Sequence, residues 1–352
     1  MTQSGFCDMI LERIFGMVFM AYSSNITKEE QKRLALEKIE KSFTKINSDV
    51  FSIFDKDTLP VFLAFMAKFH YFDIYNLILI FKQRPTATFI AAFNTWERIS
   101  INHWHDPSRR VFPQKPKSIG ILAPYILKKK ISDAMNLRSA SVGARIVSYF
   151  DYHVVYVFDK AETNGIPAPV IEWDLSKNKK DAEAAFQALK AVAPFSIVFS
   201  ADENFKGNYV FEDNTQNPGS TATLVLNAKY RFDHYTLCNF IIRSFVLRSL
   251  ENIENKYSAD DSEKLVECVS FVIASYFGLS TNEYTFFFAR MWATNSQNML
   301  EILNTVRQLA HMLIENIESE MIEYKSQFGD DVDIYTQEDD VIEFENLSLF
   351  DF

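Results

Sequence analysis

The chain has 352 residues, of which 48% are hydrophobic and 23% charged, and its formal net charge is −10. This composition excludes a chain that is disordered throughout, because it supplies enough apolar side chains for a sizeable core. Only 9 glycines are present and no glycine-rich phosphate loop occurs, which argues against a nucleotide-binding motif. The 3 scattered cysteines exclude a disulfide framework and indicate a reducing compartment, so we predict a cytoplasmic protein.

The predicted elements follow from apolar periodicity, capping residues and turn residues. The apolar stretch Val61–Phe81 contains charged side chains and is interpreted as buried helix, so no membrane association is expected. The predicted helices are, in chain order, Lys28–Ile46, Val61–Lys82, Ala87–Trp96, Asp181–Val192, Tyr235–Asn252, Ser262–Phe277 and Ser296–Lys325. The predicted strands are Ser118–Leu122, His153–Phe158, Ser196–Phe199, Tyr209–Phe211 and Thr223–Leu226.

Charge is distributed unevenly along these elements. Residues 82–145 contain 12 basic and 3 acidic residues, which gives this basic window a charge of +9. Residues 326–352, the acidic tail, contain nine acidic residues and no basic one. A basic segment is typical of a phosphate-binding surface, although a solvated charged face is more common. We expect the tail to be mobile, and its roles are solubility, recruitment of a partner, or competition with an anionic ligand for the basic surface.

A distinctive pattern begins at the end of the second predicted helix. Residues 76–88 carry N-x-x-x-I-x-x-Q-x-P-x-A-T, followed by Phe93 with Trp96 and by the strand Gly120–Pro124. Together with Tyr156–Asp159, these residues resemble the N-terminal domain of ArdC-type antirestriction proteins and their LtrC-like relatives on Gram-positive mobile elements. The resemblance implies a single-stranded-DNA-binding domain over residues 51–165.

Sequence-neutral binding of a single strand combines cationic side chains with aromatic faces on which bases stack. Phe93 and Trp96 have helical spacing, so packing in the core is the favoured interpretation for those two, and the lysines are the better candidates for DNA contacts. The full set of candidate DNA-binding residues is Gln83, Arg84, Phe93, Trp96, Arg98, Lys115, Lys117, Lys128, Lys129 and Lys130.

The second half resembles the metallopeptidase-like domain of the same family. There, one helix carries H-E-x-x-H and a later helix supplies a glutamate ligand, which corresponds to Glu267 in the well-matched stretch Glu267–Leu279. The H-E-x-x-H positions hold Asn239, Phe240 and Arg243. Asparagine is a weak ligand, phenylalanine cannot accept a proton, and arginine remains protonated. We therefore predict a pseudo-metallopeptidase with no catalytic residue, no metal and no cofactor, in which a buried ion pair between Arg243 and Glu267 replaces the ion.

The sequence thus predicts an α+β protein in four segments. They are a helical extension (residues 1–50), an α/β single-stranded-DNA-binding-like domain (51–165), a mainly helical zincin-like domain with a small sheet (166–325), and the acidic tail (326–352). The predicted function is that of a single-stranded-DNA-binding accessory protein of a mobile element or phage, with a possible antirestriction role. The predicted partners are single-stranded DNA and, through the tail, a host restriction or DNA-processing protein.

Two alternatives remain open at this point. One is a metal-dependent hydrolase with a displaced site, because His234 and Cys238 are also spaced i,i+4. That pair lies one residue from the family's ligand positions, which rotates it by about 100° around a helix and away from Glu267. The other alternative is a protein-interaction factor whose acidic tail carries the function.

Overall fold

The computed structural model describes residues 28–93, 95–96, 118–131, 145–163, 173–200, 202, 205–212, 222–251, 257–292 and 295–327, with the backbone alone for residues 28, 29, 31, 32, 124–131, 145–151 and 251. The helices are α1 (Lys28–Ile53), α2 (Thr58–Lys68), α3 (Ile74–Gln83), α4 (Lys179–Val192), α5 (His234–Glu251), α6 (Ala259–Tyr276), α7 (Ala289–Trp292) and α8 (Ser296–Ser326). The strands are β1 (Ile90–Ala92), β2 (Ile119–Ile131), β3 (Arg145–Asp159), β4 (Ser196–Ser200), β5 (Tyr209–Glu212) and β6 (Thr223–Asn227). The mixed α+β class agrees with the prediction.

The helix predicted over Val61–Lys82 is in fact two helices, α2 and α3. Asp73 is the N-cap of α3, with extended backbone angles (φ −65°, ψ 161°), and its carboxylate accepts a hydrogen bond from the backbone N–H of Asn76. Capping of this kind satisfies N–H groups that have no partner within the helix, so it starts a new helix and ends the continuous pattern. The connection Phe69–Asp73 therefore turns the chain between two apolar helices.

The first sheet has the strand order β1–β3–β2 and is antiparallel throughout. The predicted strands Ser118–Leu122 and His153–Phe158 are confirmed, and both are longer than expected because β2 and β3 remain paired from Ile119 with Val157 to Ile131 with Arg145. The helix predicted over Ala87–Trp96 is wrong as far as Ala92, because residues 87–89 are not helical either. Ile90–Ala92 forms β1 instead, because it pairs with the last three residues of β3.

The second half follows the prediction closely. In the second sheet, β6 is central, with β4 parallel and β5 antiparallel to it. The helices predicted at Asp181–Val192, Tyr235–Asn252, Ser262–Phe277 and Ser296–Lys325 correspond to α4, α5, α6 and α8.

Helix α6 is followed by Gly278, which has a φ of +64°, and a Cβ at this position would lie 2.8 Å from the Cα of Asp174. Only glycine combines this backbone conformation with so close an approach.

Helices from both halves of the chain pack together. Helix α2 lies against α6, and α8 contacts α1 and α3 as well as α4 and α6. Their buried side chains belong to one hydrophobic cluster. The domain boundary predicted at residues 163–167 falls mostly outside the described residues, so the division into domains stays a prediction. No helix in the described ranges is both long enough and apolar enough to cross a membrane.

Candidate functional site

The four positions matched to a metallopeptidase site lie on α5 and α6. Arg243 Nη2 is 2.8 Å from Glu267 Oε2, so the predicted ion pair is present. Its burial is less complete than predicted, because the Arg243 side chain is 45% exposed whereas that of Glu267 is 13% exposed. The second oxygen of Glu267 accepts a hydrogen bond of 3.0 Å from the backbone N–H of Thr285. Both carboxylate oxygens of Glu267 are therefore engaged within the protein.

Phe240, on the turn of α5 before Arg243, packs against two tyrosine rings. The Phe240 ring lies 5.4 Å from that of Tyr209 and 5.2 Å from that of Tyr230, centroid to centroid. Nearby, burial raises the pKa of Tyr284 above its usual range, with Glu267 acting in the same direction and Arg243 opposing it. Asn239 donates a long hydrogen bond of 3.4 Å to the Tyr235 carbonyl within α5. These positions pack and pair, and they present no group of metal ligands.

The displaced metal site at His234 and Cys238 does not form within the part of the chain that is described. Cys238 is fully buried, its Sγ faces the Ala182 carbonyl at 3.8 Å, and burial raises its pKa. The His234 ring stacks on Phe186 at 4.9 Å with an interplanar angle of 11°. One side chain thus points into the core while the other covers a ring, and no third ligand joins them among the described residues.

Two amides of the N-x-x-x-I-x-x-Q pattern bind the backbone of β2. Asn76 donates to the Leu122 carbonyl (2.7 Å) and accepts from its N–H (2.8 Å). Gln83 does the same at Gly120, with distances of 2.9 and 3.0 Å. The spacing of seven residues places both amides on one side of α3 after two turns. The pattern therefore has a structural role, since it satisfies backbone groups on the edge of β2 that faces away from β3, where the described part of the sheet has no further strand.

Two further candidate DNA contacts also have intramolecular roles. Arg84 Nη1 is 2.6 Å from Glu162 Oε1, and its side chain is only 18% exposed. Trp96 is fully buried, and its indole N–H donates to the Phe158 carbonyl at 3.0 Å. Trp96 is therefore a core residue, as the favoured interpretation has it, and its place among the candidate DNA contacts is corrected, because a ring with no exposed face cannot stack on a base. Phe93 is half-buried and lies against Phe158 at 6.4 Å.

The remaining lysine candidates divide into two groups. Lys128, Lys129 and Lys130 lie on β2, opposite Ser148, Val147 and Ile146 of β3. Arg98, Lys115, Lys117 and the acidic tail from residue 328 onward lie outside the described residues. β1 pairs only with residues 157–159, so beyond its reach the described strands β2 and β3 form a two-stranded ribbon that carries the lysine run.

A cluster that the sequence did not predict lies between the α2–α3 connection and α8. His70 Nδ1 is 2.9 Å from His311 Nδ1, and Glu315 Oε1 lies 4.0 and 3.7 Å from these two nitrogens. Burial, reinforced by His311 and Arg307, lowers the pKa of His70 to about 3, so this ring is neutral. The i,i+4 spacing of His311 and Glu315 was the available signal. His70 was missed because it was placed inside a continuous helix.

Comparison with known proteins gives a weak likeness. No family model matches the sequence, and no curated protein matches it. Two solved structures of the antirestriction protein ArdC from plasmid R388, one metal-free and one Mn(II)-bound, align with 70% of this chain and with 86% and 85% of their own. The identities are 12% and 11%, and both TM-scores are 0.37. The structural neighbours are thus ArdC proteins, but a likeness at this level does not establish membership of their family.

Proposed function

We propose that this chain binds single-stranded DNA without sequence preference, as an accessory protein of a mobile element. The observation that carries the proposal is the β2–β3 ribbon, whose strand β2 bears Lys128, Lys129 and Lys130 within the basic window. An antirestriction role is the finer part of the proposal, and it rests on the residues that resemble ArdC-type proteins.

The geometry of the ribbon supports contact with a nucleic acid backbone. Strand β2 has 13 residues, which corresponds to about 44 Å at the usual rise per residue. Two-stranded ribbons of this kind are used by several DNA-binding proteins to approach the backbone and grooves. Consecutive lysines on such a ribbon concentrate positive charge, and neutralising phosphates releases condensed counterions.

Aromatic side chains on the same sheet supply possible stacking surfaces. Tyr156 is 51% exposed and stands opposite Gly120 in the register, where a Cβ would lie 3.7 Å from its Cε1. Phe158, two residues along β3, is half-buried and contacts Phe93. An exposed ring on a sheet that also carries a lysine run supports sequence-neutral single-strand binding, which combines stacking with cationic side chains.

The second part of the proposal concerns the zincin-like half, which we infer to be a catalytically inactive scaffold. The inference is supported by the Arg243–Glu267 ion pair, because an arginine cation stands where the resemblance implies a metal ligand. It is also supported by Phe240, which cannot act as a general base at the position of the catalytic glutamate.

The test is an anisotropy titration with a labelled oligothymidylate and with a matched duplex, between low and physiological salt. We expect preference for the single strand and a steep loss of affinity as salt rises. Replacing Lys128, Lys129 and Lys130 together with glutamine should reduce the slope of log affinity against log salt by about 2, because each phosphate contact on a single strand contributes about 0.7.

The matched control replaces Lys38, Lys41 and Lys45 with glutamine, three exposed lysines on one side of α1. This variant has the same change of net charge at a different place, so its affinity should remain within about twofold of the unmodified protein. Equal losses in both triple variants would show that only overall charge matters. Equal affinity for duplex and single strand would contradict the proposal directly.

A further inference from the structure

We propose that His70, His311 and Glu315 form a binding site for a divalent transition-metal ion of the zinc class. These residues are separate from the positions compared with metallopeptidases, and the proposal does not depend on DNA binding. Within the described part of the chain they form the one group of three potential ligand side chains close enough to share an ion.

The distances are near those that a metal requires. Two nitrogen ligands at about 2.0–2.1 Å from a tetrahedral zinc ion lie about 3.3 Å apart. The two Nδ1 atoms are 2.9 Å apart, and the Glu315 oxygen is 3.7 and 4.0 Å from them. Small rotations of the side chains therefore bring all three atoms to bonding distance. Without a metal, the same two nitrogens form a hydrogen bond in which one ring donates and the other accepts.

The supporting elements hold the ligands in place. His311 and Glu315 are one turn apart on α8, which puts them on the same side of the helix. His70 is 4% exposed in the α2–α3 connection, where its ring contacts that of Tyr276 at 5.1 Å. A metal at this point joins an element of the first half of the chain to α8.

The charges around the cluster are mixed. Glu315 supplies a negative charge to the proposed site. Glu318, one turn further along α8, is already engaged, because its Oε1 accepts from the Trp173 indole (2.5 Å) and the Tyr276 hydroxyl (2.9 Å). The opposing cation is Arg307, which donates to the His70 carbonyl at 3.4 Å and is itself attracted by Asp73.

The ligand set indicates the class of ion. Two imidazoles and one carboxylate suit zinc and related borderline ions, whereas magnesium and calcium prefer sites made of oxygen atoms. Because the His311 and Glu315 side chains are 31% and 32% exposed, a water molecule can reach the remaining coordination position from solvent. Three protein ligands with one open position make a site that binds an exchangeable ligand.

The test uses the full chain after treatment with a chelator. Calorimetric titration with Zn²⁺ should show one equivalent bound with a dissociation constant below about 1 μM, and the melting temperature should rise on addition of Zn²⁺. Co²⁺ should give the intense visible absorption of a tetrahedral complex. His311→Asn and Glu315→Gln, both at partly exposed positions that tolerate such changes, should each weaken binding at least about tenfold.

The matched control is His234→Asn, which removes a histidine that stacks on Phe186 away from the cluster. It should leave the zinc affinity within about twofold of the unmodified protein. Absence of binding up to about 100 μM Zn²⁺, or unchanged affinity in both the His311 and Glu315 variants, would overturn the proposal.

Discussion

At the scale of single residues, the Arg243–Glu267 ion pair joins α5 to α6. Both carboxylate oxygens of Glu267 are engaged, and the Arg243 guanidinium occupies the facing position on α5. Fully buried pairs lose about 3–5 kcal/mol when one partner is removed, whereas exposed pairs contribute about 1 kcal/mol or less. Because Arg243 is almost half exposed, we expect the contribution of this pair to the free energy of unfolding to lie between these two limits.

We therefore predict a coupling energy of about 1–2 kcal/mol between these two residues in a double-mutant cycle. Arg243→Met alone should lower the free energy of unfolding, because it leaves Glu267 with the Thr285 N–H as its partner. Arg243→Met combined with Glu267→Leu should recover part of the loss. The measurement is urea unfolding of all four proteins at pH 7, and strict additivity of the two changes would show that the pair contributes nothing.

Tyr156 is the residue on which the stacking part of the proposed function is most directly tested. Tyr156→Ala should cost about 1–3 kcal/mol of binding free energy for an oligothymidylate, because the exposed ring face is lost. Tyr156→Phe keeps that face and should bind as the unmodified protein does. If both variants bind equally well and unfold at the same urea concentration as the parent, Tyr156 is an ordinary surface residue.

At the scale of elements, α3 and β2 are joined by side-chain amides as well as by apolar packing. Each of Asn76 and Gln83 exchanges two hydrogen bonds with one residue of β2, in the way that a neighbouring strand does. The two positions differ in burial, since Asn76 is 4% exposed whereas Gln83 lies at the surface. Their energetic contributions should differ accordingly.

We predict that Asn76→Leu lowers the free energy of unfolding by about 3 kcal/mol, because two buried backbone groups of Leu122 lose their partner. Gln83→Met should cost about 1 kcal/mol, since water can replace the amide at the surface. Gln308→Met, at an exposed position on α8, is the control and should be close to neutral. Equal effects at Asn76 and Gln83 would contradict this ranking.

At the scale of the whole molecule, the basic window and the acidic tail carry opposite charges. The window carries +9 and the tail contains nine acidic residues, and both belong to one chain. A tethered competitor acts at high effective concentration, so the tail can compete with DNA for the basic surface. Such competition is screened by salt over about 8 Å at physiological ionic strength.

Deleting residues 328–352 should therefore tighten single-strand binding at low salt and have a smaller effect at physiological salt. Thermal stability should stay nearly unchanged, because the deletion begins after the end of α8. A control with the tail acids replaced by asparagine and glutamine separates charge from length and should behave like the deletion. Unfolding of the truncated protein would show instead that tail residues such as Phe344 and Phe352 belong to the core.

The α+β class, the helices of the second half and every predicted strand could be derived from local sequence. In these segments the apolar period agrees with the final burial, as in α8, where Asn295 caps the helix and the buried residues recur every three or four positions. The pairing of Arg243 with Glu267 could also be anticipated, because it followed from two positions in one pattern. These features depend on residues that are near one another in sequence or already related by a motif.

Other features required the tertiary structure. The residues of β1 have a helical sequence pattern, which did not predict a strand. They form a strand because their backbone groups pair with those of β3. Gln83 and Trp96 were among the candidate DNA contacts, and only the fold shows that Gln83 bonds to Gly120 and Trp96 to the Phe158 carbonyl. His70 and His311 are in contact although they are 241 positions apart in the chain. The sequence alone determined which segments could be helices or strands. Contacts between distant segments decided which polar side chains remained available for function, because the burial and the hydrogen-bond partners of a side chain are set only when the chain has packed.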